Sequence, residues 1–266
     1  MDISLLFIPF TGCLLLILLH TYFGVHVLER GIIFVDLTLA QFISIGAALS
    51  IYLGQEQSQW LFATLFAVVG GVILAFSKRI AKLVYIEAFI GVLYIFSFAV
   101  SILLLDKTPH GYEELKNILN GNILWITGKD LFTMFILYTI IGTFHFCFRK
   151  KFLALSEGKN ESFLWEFLFF LSFALMLVNS IKIAGILQVF SFLIIPALIG
   201  KTVTQEPLKI LIKGWFAGIF ASVAGILISY KFDISTSSLI VAFLSLTFSI
   251  ILCIKMGKVN QRKILY

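Results

Sequence analysis

Charge is scarce in this sequence. Only 13% of its 266 residues are Asp, Glu, Lys or Arg, against 60% hydrophobic residues and a mean hydropathy of +1.05. A soluble domain carries about a quarter charged residues and is about half apolar. This composition leaves too little polar side chain to cover a water-facing surface, which excludes a soluble fold. Lipid as solvent removes that demand, and the 29 Phe suit a lipid-facing surface. Cysteine is scarce too. Cys13, Cys147 and Cys253 stand far apart inside apolar runs, with neither a disulfide framework nor metal spacing. No Gly-x-x-x-x-Gly-Lys-Ser/Thr loop occurs, so the chain should not hydrolyse nucleotides itself. His-Glu-x-x-His and Gly-x-Ser-x-Gly are absent as well. The start, Met1-Asp2-Ile3, has no positive n-region, and no small-x-small cleavage site follows. The first apolar stretch is therefore read as a mature membrane helix rather than a signal peptide.

What is present is a series of long apolar runs. A membrane-crossing helix needs roughly 20 mostly apolar residues. That window marks spans at about 3–23, 31–53, 60–77, 85–105, 131–148, 163–181, 183–200, 211–230 and 234–254. The fold expected is all-α and polytopic, a single transmembrane unit over 1–266 with about nine spans. Eight result if the runs around Asn179, Ser180 and Lys182 form one broken helix.

The net charge of +6 is spread over the loops. Placing Lys78, Arg79 and Lys82 in the cytoplasm puts Arg30 there by alternation. Arg149, Lys150, Lys151 and Lys159 follow, as do Lys201, Lys209 and Lys213, and then Lys255, Lys258, Arg262 and Lys263. That is 15 of the 20 Lys and Arg. Lys107, Lys116, Lys129, Lys182 and Lys231 fall outside. Cytoplasmic loops carry such an excess of positive charge, so nine spans are favoured, with the N-terminus outside and the C-terminus cytoplasmic. The same spread argues against a nucleic-acid partner.

Two loops stand out. The outer one, 106–130, is half apolar and would suit a short interfacial helix anchored by Trp125. The inner one, 149–162, is either a plain connector or a contact for a cytoplasmic partner. Gly214, Gly218, Ser222 and Gly225 give one span a small-residue stripe, which suits close packing inside one subunit better than a dimer seam. Ionisable groups within spans are costly and so are functional candidates. Asp36 and the deeper Gln41 lie in the second span and Glu87 begins the fourth, although Asp36 and Glu87 also lie near enough to the interface to be hydrated. His110, Glu113 and Glu114 in the outer loop offer imidazole and carboxylate groups to a divalent cation, or are simply solvated. His20 and His26, six apart, share no helix face and suit packing or interfacial roles.

Two stretches carry a resemblance: Gly24–Gly46, around Glu29-Arg30-Gly31 and Asp36, and Lys182–Ala197, ending Leu193-Ile-Ile-Pro-Ala197. Between them lies Leu119-Asn-Gly-Asn-Ile-Leu124. In order and spacing these resemble the permease subunits of ABC-type zinc and manganese importers. The resemblance implies a homodimer in a bacterial inner membrane that moves the ion by alternating access. It implies a cytoplasmic ATP-binding subunit as partner and an extracytoplasmic protein that delivers the metal. It also implies that 149–162 makes the coupling contact through Phe152, Leu155 and Glu157, although that loop is shorter than is usual in the family. The sequence departs from the family's ligand pair. Asp36 stands at the family's Gly, Leu37 at its Asp and Gln41 at its His, which leaves Asp36, Gln41 and Glu87 as pathway candidates. Rival readings are an ATPase-independent secondary transporter and an intramembrane enzyme.

Overall fold

A computed structural model describes residues 6–121, 123–159 and 162–264. Residue 122 of the outer loop and residues 160 and 161 of the inner loop lie outside the described residues. All regular structure among those described is helical. The helices are α1 (Phe7–Arg30), α2 (Val35–Tyr52), α3 (Gln59–Ala75), α4 (Ser77–Ile80), α5 (Ile86–Leu105) and α6 (Gly111–Asn120). They continue as α7 (Gly128–Cys147), α8 (Arg149–Ser156), α9 (Phe163–Val203), α10 (Pro207–Phe232) and α11 (Thr236–Ile264).

Eight of these are long and apolar enough to cross a membrane. One of the eight, α9, has 41 residues. Unbroken, at 1.5 Å per residue, it would be about 60 Å long, twice the roughly 30 Å hydrocarbon core. It is not unbroken. Gly185 has φ 75° and ψ 165°, a conformation essentially reserved for glycine. The contacts on either side show that the chain reverses there. Glu166, near the start of α9, pairs with Arg30 and Lys78, while Lys201, near its end, pairs with Glu29 at 2.7 Å. Both ends of α9 therefore lie at the face where α1 ends. Lys182, beside the turn, pairs at 3.1 Å with Asp130 at the opposite face. Residues 163–184 and 186–203 are two antiparallel arms, and the described residues make nine passes.

The passes alternate. Arg30, the α3–α5 link, α8, the α9–α10 link and the C-terminal end of α11 share one face, which we call the basic face. The α2–α3 link, α6, the Gly185 turn and the α10–α11 link share the far face. Lys255 on α11 donates to the Thr202 carbonyl at 2.6 Å, and Ser237 at the other end of α11 donates to Gln188 at 2.7 Å, so this pass is registered at both ends.

The α9 arms and α2 form the enclosed centre, while α5, α7 and α11 turn many large apolar side chains outward, among them Phe96, Phe135 and Ile250. Those outward Phe and Ile fit a lipid surround. The small stripe of α10 serves the subunit itself: Gly214 lies against the Pro196 carbonyl, Gly218 against Ile17 and Gly225 against Ile240. In the outer loop the helix begins earlier than the apolar pattern suggests, at Gly111, and Gly121 (φ 55°) brings its backbone against Ala184 and Gly185. A Cβ on either glycine would overlap the other's backbone.

Gly185→Ala is expected to cost about 3 kcal/mol or more, from the forbidden conformation and the overlap with residues 120–121. A thermal melt in detergent checks this. A midpoint unchanged from wild type contradicts the turn as described.

Candidate functional site

Polar groups inside a membrane bundle must find partners or exact a cost. Their pattern here divides into satisfied networks and unsatisfied groups.

The satisfied networks tie α1, α7, α8 and the first α9 arm together. Ser172 donates its only hydroxyl proton to the Phe169 carbonyl at 3.0 Å. It must then accept from His145 Nε2, at 2.8 Å, which leaves His145 Nδ1 to accept from the Tyr22 hydroxyl at 3.1 Å. Ser180 donates to the Met176 carbonyl and so accepts from Tyr138, both at 2.6 Å. His26 Nδ1 meets the Ser156 hydroxyl at 2.7 Å. Phe152 stacks on His145 with ring centroids 4.0 Å apart. Together these clamp α8 to α1, α7 and the first α9 arm.

At the basic face a buried carboxylate carries two cations. Glu166 pairs with Arg30 and, at 2.9 Å, with Lys78; the Arg30 and Glu166 side chains are 6% and 2% exposed. The guanidinium also lies 4.9 Å from the ring centres of both Phe169 and Phe170. Beside it is a cavity of about 310 Å³ lined by Arg30, Lys78, Ser156 and Glu157.

Unsatisfied groups occur on several helices, and α2 carries three such residues. Asp36 is 1% exposed and both its oxygens lack hydrogen-bond partners. The Gln41 amide oxygen and the Ser44 hydroxyl are likewise buried and unpartnered. At 100° per residue Gln41 and Ser44 are about 60° apart and share a face, whereas Asp36 lies about 140° from Gln41. Glu87 is half-buried at the start of α5 and has one unpartnered oxygen. The bond from Thr38 to the Ile90 carbonyl (3.0 Å) sets α2 beside α5 in parallel and puts Asp36 level with Glu87. Asp36, two residues from Thr38, lies about 160° around the helix from it and so faces away from α5. The structure therefore does not join Asp36 to either Gln41 or Glu87.

Other sequence candidates fall as follows. His110 and Glu113 are exposed and 3.6 Å apart, and with Glu114 and Glu56 they line a far-face cavity of about 400 Å³. Among the described residues no three His, Cys, Asp or Glu side chains form a metal-holding group. Phe152 and Leu155 are 0% and 1% exposed, because they pack α8 onto the bundle; they do not face a partner. Exposed on α8 and just after it are Arg149, Lys150, Lys151, Leu153 and Glu157. His20 is fully buried; its Nδ1 bonds the Leu16 carbonyl at 2.8 Å and its Nε2 has no partner.

Two central residues are missing from the sequence reading. Glu166 sits only four residues into an apolar run, and an acid inside a span was the available signal. His145, near the end of another span, is the second. Its role shows only when α7 and α9 are placed side by side.

Comparison with known proteins adds the following. A family model described as the ABC 3 transport family matches residues 3–255. A probable metal transport system membrane protein of Chlamydia pneumoniae is 25% identical over 244 residues, covering 87% of this chain and 83% of that one. A manganese transport system membrane protein of Listeria monocytogenes is 24% identical over 235 residues, covering 85% and 82%. Among solved structures, PsaBC from Streptococcus pneumoniae in complex with Fab aligns with a TM-score of 0.76 at 21% identity, covering 94% of this chain and 91% of that one. It has the same fold.

His26→Ala should loosen α8. It leaves Ser156 without its partner, at about 1–3 kcal/mol. Hydrogen exchange over 149–158 is expected to speed up by at least fivefold while exchange in α2 is unchanged. Equal rates in the two proteins contradict the clamp.

Proposed function

The chain belongs to the ABC 3 transport family, and on that footing we propose that it is the membrane permease of an ATP-driven importer of divalent metal ions, with manganese rather than zinc as its cargo. Family membership along nearly the whole chain supports the general reading. The observation that carries the cargo is the donor set of α2. Its unpartnered groups, Gln41 and Ser44 on one face and Asp36 on another, offer oxygen alone, and the helix has no His or Cys. Manganese takes oxygen ligands readily, whereas zinc favours sites that include imidazole nitrogen or thiolate sulfur. The manganese transport protein of Listeria is in accord with this. Two copies of the chain around a common pathway would present four neutral oxygens from Gln41 and Ser44. Such a site binds weakly, which suits passage rather than storage.

The remaining assignments follow from charge and exposure. The basic face is cytoplasmic by the positive-inside rule. There the exposed side of α8, Arg149, Lys150, Lys151 and Leu153, is the surface for the ATP-hydrolysing subunit, while Phe152 and Leu155 hold α8 in place. At the far face Glu56, Glu113, Glu114 and His110 form an acidic rim that would draw cations from the delivery protein to the mouth. ATP-driven alternation between the faces would move the ion inward.

Deleting the chain should abolish uptake of radioactive manganese by starved cells while leaving zinc uptake within twofold. Undiminished manganese uptake overturns the cargo, and the absence of a co-purifying ATPase favours a secondary transporter. Lys150→Glu with Lys151→Glu should reduce ATPase capture at least tenfold without changing membrane abundance. Capture at wild-type level moves the contact elsewhere.

A further inference from the structure

Ionisable groups at the basic face are unevenly partnered. Glu166 holds both Arg30 and the half-buried Lys78, while Asp36 holds neither. Arg30 is anchored through Nη2 alone; its Nη1 is buried without a hydrogen-bond partner. The two unmatched groups, a guanidinium N–H and a whole carboxylate, are six residues apart, with only the turn 31–34 between the helices that carry them.

Asp36 lies about 60° from Leu39 on α2. Leu39 and Phe42 pack on Gly70 of α3, and the next residue, Gly71, packs on the backbone of Phe170, whose ring touches the Arg30 guanidinium. α3 and the first α9 arm thus bridge the flank of α2 beside Asp36 to the Arg30 site. The turn that would have to yield contains Gly31 in the left-handed region, which caps α1 by donating its N–H to the Leu28 and Val27 carbonyls of the last turn. A buried carboxylate with no partner is an expensive arrangement, and a buried cation with spare donors makes a second arrangement available nearby.

We infer that Arg30 exchanges carboxylates during the transport cycle, leaving Glu166 for Asp36 while Lys78 keeps Glu166. The structure shows the arrangement in which Arg30 ties α1 to the first α9 arm. In the alternative, each cation has its own carboxylate, and Arg30 ties α1 to α2 instead. Two packings with equal total charge and different partners make a bistable element at the basic face, of the kind that alternating access requires. The inference rests on the permease reading for its purpose, though the exchange itself is a property of this chain. Arg30, Asp36 and Glu166 act here as positioning residues and need not touch the cargo.

The test uses the full chain in membranes, with Cys147 and Cys253 replaced by Ser and a thiol placed by Ile32→Cys, at a residue that lines the basic-face cavity and is 4% exposed. Asp36→Asn removes the second partner, so Arg30 stays on Glu166. Glu166→Gln removes the first and sends Arg30 to Asp36. The two variants should shift the maleimide labelling rate at position 32 in opposite directions, each by fivefold or more. Shifts in the same direction, or none, overturn the exchange. If Glu166→Gln fails to fold, Asp36→Asn decides alone. It should leave the melting midpoint unchanged or higher and cut manganese uptake at least tenfold. Uptake at wild-type level with this neutral isostere means that Asp36 never meets Arg30. Labelling needs no cargo, so a wild-type chain that imports no manganese overturns the manganese cargo and leaves the exchange to be judged on labelling.

Discussion

The reversal at Gly185 organises this molecule. A single glycine in a conformation closed to other residues folds one apolar stretch into two antiparallel passes. The reversal lays both arms against α1. Phe169 and Phe173 of one arm surround Phe23, and the Leu193 carbonyl of the other lies against Gly24. The turn is held from outside by Gly121, so the outer loop and the central hairpin are fitted to each other. The pairing of Glu166 with Arg30, of Lys201 with Glu29 and of Lys182 with Asp130 follows from that one geometry.

Around the hairpin the membrane imposes a second constraint. Each buried polar group must be bonded or be kept for a reason. The bonded ones build structure: Tyr22, His145 and Ser172 join three helices, and His26 and Ser156 fasten α8. The unbonded ones are spread over several helices, and α2 carries three of them, Asp36, Gln41 and Ser44. A helix with buried Asp36, Gln41 and Ser44 would be a poor structural element; it makes sense as a place where something else supplies the missing partners.

Much of this was legible in the sequence. Apolar runs marked the passes, because lipid demands about 20 apolar residues per crossing. The distribution of Lys and Arg favoured nine passes over eight, and the break at 179–182 lay three residues from the true turn. Gly185 itself gave no signal, since a glycine in an apolar helix is common and only tertiary contact forces its conformation. Asp36 and Gln41 stood out as polar residues in a span and are buried. Phe152 and Leu155 were read as partner-facing, but an amphipathic eight-residue helix has one apolar face, and here the subunit's own core takes it. Glu166 and His145 matter through residues more than 100 positions away, Arg30 and Tyr22, and no local pattern reveals such pairs.

The most direct test of the central claim is X-ray absorption at the manganese edge on the intact complex loaded with Mn²⁺. The account predicts a first shell of oxygen alone, and loss of the bound ion when Gln41 and Ser44 are both changed to Ala. A shell containing imidazole or sulfur, or a site unaffected by those two changes, would contradict it.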